Sequence, residues 1–255
     1  MRENLLNIDV FEMIKKLIKI YLFFVIIFNI SNLRCIATPN YYEAEKKNYD
    51  SFGADFNTLY QTFVDSIGKI DLKDVSAYWC RIRDYNDKLI IGGSGVVYCG
   101  YTMGDDIDRL GYDVVGFGGM CDDKIKDWIP KIKKKYKKVI IFEGVNTVNL
   151  ALGAGFLDVS QDMIESVLTT IARVQTNLLD IDGVYQYVKV VPMTKGRDNE
   201  NPMLVKKFNK ISKSLNNALA FINIPLYEIT FPTTKEYSSG YVHFNNKVVW
   251  EHMLK

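Results

Sequence analysis

One serine in this 255-residue chain stands where a nucleophile would be placed. It is Ser94, in the run Lys88-Leu-Ile-Ile-Gly-Gly-Ser-Gly-Val-Val97, where apolar residues lead straight into three glycines that flank a single hydroxyl. A short buried strand followed at once by a Gly-rich turn is how an open α/β sheet presents a side chain at its carboxyl edge. Glycine there lets the backbone turn tightly and lets a substrate come close. A hydroxyl is a poor nucleophile until an imidazole takes its proton. The chain holds only two histidines, His243 and His252. His252 lies near the chain end with Glu251 and Lys255 and reads as a solvated surface residue, while His243 stands in the loop Gly240-Tyr-Val-His-Phe-Asn245.

Other chemistries fit the glycines less well. A P-loop needs Gly, four residues, then Gly-Lys-Ser/Thr, and no stretch matches. The dinucleotide fingerprint fails at its third glycine in both candidates, where Tyr98 and Cys121 stand instead. The hydrolase elbow Gly-x-Ser-x-Gly fails at Val96. No Cys/His spacing resembles a zinc site. A formal charge of +2 gives nucleic-acid binding no support. The lysine run from Lys131 to Lys138 reads as a solvated helix end, with a patch for anionic wall polymers or lipid headgroups as the other reading.

The elements that must position these residues alternate from Lys88 onward. Strands are expected at Leu89–Gly92, Tyr112–Gly116, Lys138–Phe142, Tyr187–Val191 and Leu226–Thr230. Helices are expected after Ser94, from Asp122 to about Tyr136, from about Ser160 to Leu179, from Met203 to about Ile222, and at the C-terminus. Asp122 and Asp123 suit the positive start of the second of these. Strands alternating with helices imply a parallel sheet covered on both faces, with the loops after the strands gathered at one edge. Ser94, Gly119, Asn146 and His243 all fall on such loops.

Two segments precede this domain. Residues 1–37 carry Lys15, Lys16 and Lys19 ahead of an apolar run at 20–28, and Cys35-Ile-Ala37 follows with small residues, so the stretch reads as a signal peptide or a signal anchor. Export places the protein outside the cell or at its surface, and an uncleaved anchor would attach it to the membrane through residues 20–33. Cleavage after Ala37 would leave Cys80, Cys99 and Cys121, of which Cys99 and Cys121 are candidates for a bridge. Residues 38–84 show helical periodicity around Phe56, Leu59, Tyr60 and Phe63 and read as a helical extension; 85–255 is the main domain.

Taken in order, Gly92-Gly-Ser94, Gly116-Phe-Gly-Gly119, Gly144-Val-Asn146 and His243-Phe-Asn resemble the motifs of the SGNH (GDSL-type) hydrolases. The resemblance covers about residues 85–255. It implies a flavodoxin-like three-layer α/β/α sandwich around a parallel five-stranded sheet, and ester hydrolysis without a metal or organic cofactor. Ser94 would be the nucleophile and His243 its base. The oxyanion hole would comprise the Ser94 and Gly119 backbone N–H groups and the Asn146 amide. Two positions depart from the family pattern: Gly93 stands where the first motif has Asp, and Gly240 stands where the triad acid belongs, with Glu236 the nearest upstream carboxylate. Two readings follow. One is a secreted or membrane-anchored serine esterase acting on small-molecule or glycan esters, O-acetyl carbohydrate among them. The other is an inactive relative that binds extracellular carbohydrate or a protein partner.

Overall fold

The computed structural model describes residues 77–119, 121–193, 202–229, 244 and 247–255. The expected leader at 1–37, the stretch 38–76, Glu236, Gly240 and His243 lie outside the described residues. The chain enters a six-stranded sheet as β1 (Ala77–Arg81) and continues through β2 (Lys88–Gly92), β3 (Tyr112–Gly118), β4 (Tyr136–Phe142), β5 (Leu179–Val188) and β6 (Leu226–Tyr227). The spatial order is β1-β3-β2-β4-β5-β6, with β1 antiparallel to β3 and every other pairing parallel. Without β1, the parallel strands run in the flavodoxin-like order 2-1-3-4-5.

Side chains alternate across the sheet because the strand period is two. Ile90, Val114 and Ile140 join one core, with Val96 and Val97 of α1 (Ser94–Met103) and Trp250 of the C-terminal helix Lys247–Leu254. Leu89, Ile91, Val115, Val139 and Ile141 join the other. That second face is covered by the helices Asp122–Trp128, Val145–Gly153, Gln161–Asn177 and Pro202–Phe221. In chain order the helices after α1 are α2 (Asp106–Arg109), α3 (Asp122–Trp128), α4 (Val145–Gly153), α5 (Gln161–Asn177), α6 (Pro202–Phe221) and α7 (Lys247–Leu254). The three-layer α/β/α architecture is therefore as expected.

Several expectations need correction. The sheet has six strands instead of five, and β1 falls inside 38–84, which was expected to be helical. Trp79 and Cys80 are both buried, one in each core, so β1 carries no apolar–polar alternation to read. The helix expected to reach Tyr136 ends at Trp128 and gives way to a short 3-10 turn, Ile129–Lys131, because Pro130 has no N–H to continue the ladder. The lysines after it are accordingly no helix end. Lys131 lies over the Trp128 ring at 3.8 Å, Lys134 pairs with Asp113 at 2.8 Å, and Lys137 pairs with Asp87 at 3.1 Å. Finally, Cys80, Cys99 and Cys121 are buried thiols and Cys99 forms no bridge to Cys121. Burial pushes the Cys99 thiol well above its ordinary pKa.

The end of the sheet away from Ser94 is pinned by Asp113 at the start of β3, fully buried. Its Oδ1 accepts from the Arg83 backbone N–H and the Asn86 amide, each at 2.9 Å. Its Oδ2 accepts from Lys134 Nζ at 2.8 Å and the Tyr136 hydroxyl at 2.9 Å. Four donors, one of them a cation, meet the cost of burying this charge.

Candidate active site

The registers Gly92↔Gly116 and Gly92↔Phe142 align the carboxyl ends of β2, β3 and β4. The strand order reverses around β2, which makes this edge the topological switch point where open α/β sheets bind ligands. Ser94 is the first residue of α1. Gly93 precedes it as the N-cap in extended conformation (φ −82°, ψ −150°). The Ser94 N–H thus lies ahead of the helix's own hydrogen-bond ladder, at the positive end of its dipole.

Ser94 and Asn146 line one pocket with Gly93, Phe142 and Glu143, enclosing about 240 Å³ including its open mouth. Both are half-buried and open to solvent. Asn146 is the second residue of α4, whose start is set by Gly144 at φ +104°. A Cβ on Gly93 would lie 3.0 Å from Asn146 Nδ2, so the amide faces the backbone just before the serine. Gly119 follows β3 at φ +78°, a left-handed conformation that glycine adopts without strain. It sits on the neighbouring strand end and is not among the pocket-lining residues.

His243 lies outside the described residues, but the residue after it is anchored beside the pocket. Phe244 is buried with its ring stacked on Phe142 at 6.2 Å, and its carbonyl accepts the Trp250 indole N–H at 2.6 Å. Phe142 and Trp250 meet edge to face at 5.7 Å, completing an aromatic cluster under the pocket wall.

Two carboxylates at this edge escaped the sequence reading as site residues. The first is Glu143, buried at the end of β4. Its Oε2 lies 2.2 Å from where a Cβ on Gly93 would be. Glutamate therefore occupies the space into which a side chain at 93 would project, and any residue larger than glycine there must push that carboxylate aside. The second is Asp122, at the helix start where it was expected, and fully buried there. Its Oδ2 accepts from the Thr147 hydroxyl at 2.8 Å and the Tyr187 hydroxyl at 3.0 Å. Burial pushes its carboxyl up to about 6, against those hydrogen bonds, which pull it down. Tyr187 is raised well above its usual range by burial and then by the Asp122 and Glu143 charges. Helical and strand periodicity mark both acids only as polar residues beside a loop, so neither stands out before the chain is folded. Among the described residues, no group of three His, Cys, Asp or Glu is placed to hold a metal ion.

No family model matches the chain and no curated relative does. Solved structures resemble its course at low identity. A Bacteroides fragilis protein assigned as an acylhydrolase is 12% identical, with 78% of this chain and 93% of that one covered at a TM-score of 0.49. An acetyl xylan esterase, AlAXEase, is 16% identical, with 65% and 96% covered at 0.45. A lipase from a goat rumen metagenome, Lip_vut3, is 12% identical, with 66% and 94% covered at 0.44. Identity this low leaves the chemistry to be read from the site itself.

Proposed function

We propose that the protein is a serine esterase of the SGNH type that removes short acyl groups from alcohols, O-acetyl carbohydrate being the favoured substrate class. The observation that carries the reading is the pocket at the switch point. It brings Ser94 and Asn146 together on one wall, while Phe244, next to the chain's candidate base, stacks on the Phe142 of that wall.

In this mechanism Ser94 Oγ attacks the ester carbonyl carbon as His243 takes its proton. The oxyanion is held by the Ser94 and Gly119 N–H groups and the Asn146 amide. The C–O bond to the alcohol breaks, with the imidazolium returning the proton to the leaving oxygen. Water, deprotonated by His243, then attacks the acyl-enzyme and releases the carboxylic acid and free Ser94. Glu143 supplies the pocket's carboxylate, and in this reading it offsets the charge that builds on His243 where Gly240 provides none. The leader at 1–37 would deliver the enzyme outside the cell or to its surface.

The test is labelling by a fluorophosphonate probe, with p-nitrophenyl acetate hydrolysis alongside. Labelling that disappears in Ser94→Ala and in His243→Ala is expected. A folded wild type that neither labels nor hydrolyses would turn the assignment toward a binding module.

A further inference from the structure

The buried Asp122 cluster is larger than a helix start requires. Besides the two hydroxyls on Oδ2, the Asp122 backbone N–H donates to Thr147 Oγ1 at 3.3 Å, and its carbonyl accepts from the Thr170 hydroxyl of α5 at 3.0 Å. Oδ1 is buried too and has no hydrogen-bond partner among the described residues. No cation faces the cluster in these contacts, and the other charge acting on its Tyr187 is that of Glu143, itself a carboxylate. A carboxylate buried this way is expensive, and two hydroxyls on one oxygen offset only part of the cost.

What the cluster joins is specific. Asp122 lies three residues beyond Gly119, as the first residue of α3, where the connection from β3 ends. Thr147 is the residue after Asn146, in the first turn of α4. Tyr187 comes from β5, and its hydroxyl lies 3.1 Å from the position of a Cβ on Gly144. The reciprocal pair of bonds between Asp122 and Thr147 thus ties the loop bearing one oxyanion donor to the loop bearing the other.

We infer that Asp122 is a positioning residue, which acts through Thr147 and Tyr187 to hold the Gly119 and Asn146 loops at a fixed separation. The function assigned to that separation, receiving an oxyanion, rests on the esterase reading above; the clamp itself does not. A donor displaced by about 1 Å costs roughly a hundredfold in rate, so a carboxylate that fixes two donors at once has a catalytic consequence without touching substrate.

The experiment pairs amide hydrogen exchange with steady-state p-nitrophenyl acetate kinetics on the full chain, for wild type, Thr147→Val, Thr147→Ser and Tyr187→Phe. Thr147→Val keeps the shape and removes the hydroxyl. It is expected to speed exchange about tenfold or more in peptides spanning 116–122 and 143–148, leaving β2 and α6 unchanged. It should also lower kcat by about tenfold to a hundredfold with KM within about twofold. Thr147→Ser restores both, and Tyr187→Phe shows the same pattern more weakly. Exchange in both loops that stays at the wild-type rate in Thr147→Val and in Tyr187→Phe overturns the clamp, whatever the activity. A uniform rise in exchange across the domain, or a loss that Thr147→Ser does not rescue, overturns it in favour of ordinary core packing. A wild type without esterase activity, whose variants still loosen the two loops selectively, upholds the clamp and sinks the esterase reading instead.

Discussion

Two buried aspartates mark opposite ends of the same sheet, and they are handled differently. Asp113, at the amino end of β3, has two donors on each oxygen, one of them a lysine. Asp122, just past the carboxyl end of that strand, has both side-chain hydrogen bonds on one oxygen, given by hydroxyls and by no cation. The first is a fully paired group that fastens the connection before β2 and the approach to β4 to the strand between them. The second is left short of partners, with its carboxyl raised to about 6. An under-compensated charge is tolerated where its geometry serves something besides stability. The difference separates the end of the sheet that holds the fold from the end that carries the candidate site.

Breaking the paired end should give the largest effect on stability. Asp113→Asn removes the anion facing Lys134, Tyr136 and the Arg83 N–H, and is expected to cost about 3 kcal/mol. This is the low end for a broken buried pair, because water reaches the partly exposed Lys134. Urea denaturation would measure it, and activity per folded molecule should not change. At the other end the pattern reverses. Gly93→Ala drives a methyl into Glu143 Oε2 and toward the Asn146 amide. It should lower kcat by about a hundredfold, with a smaller loss of stability.

Glu143→Gln should lower kcat by at least about tenfold, since a neutral amide cannot offset an imidazolium. Because Gly93→Ala acts by moving the same carboxylate, the two losses should fail to add in a double-mutant cycle. Additive losses would show that Glu143 is a packing residue.

The smallest effect sharpens the comparison through pH. A carboxyl at about 6 in the folded chain, against about 3.9 unfolded, means the native state binds the extra proton between those values. Stability then falls as pH rises from about 4 to 6, by a contribution on the order of 2 kcal/mol. Asp122→Asn removes that slope. Melting temperatures of wild type and variant should converge toward pH 4 and diverge in the variant's favour toward pH 7, once the constant cost of the amide is subtracted. Parallel curves would show that Asp122 titrates normally.

β2, β3 and β4 were legible because each carries a short apolar run that leads into a glycine-containing turn, and those turns could be ordered along one edge. β5, expected at Tyr187–Val191, runs over Leu179–Val188 and was missed over most of its length because Asp180, Asp182 and Gln186 break the apolar pattern. The ordering placed the Ser94 and Asn146 loops at one edge, where the two residues line one pocket; the choice of Asn146 itself rested on the family resemblance. β1 was hidden because Trp79 and Cys80 point into opposite cores, leaving no period to read. Asp122 looked like a helix-start acid because its partners, Thr147 and Tyr187, are 25 and 65 residues away. Glu143 was passed over for a related reason: the glycine that makes room for it is Gly93, on another strand's turn. Gly93 had read as a missing acid, and the folded chain brings a carboxylate to that space from β4.

The most direct test of the central claim is identification of the residue modified by a fluorophosphonate probe on the full chain, by peptide mass spectrometry. A single adduct on Ser94, lost in His243→Ala and weakened in Glu143→Gln, is the expected result. A folded protein whose Ser94 stays unmodified while it binds acetylated glycan would contradict the esterase and make the pocket a recognition site.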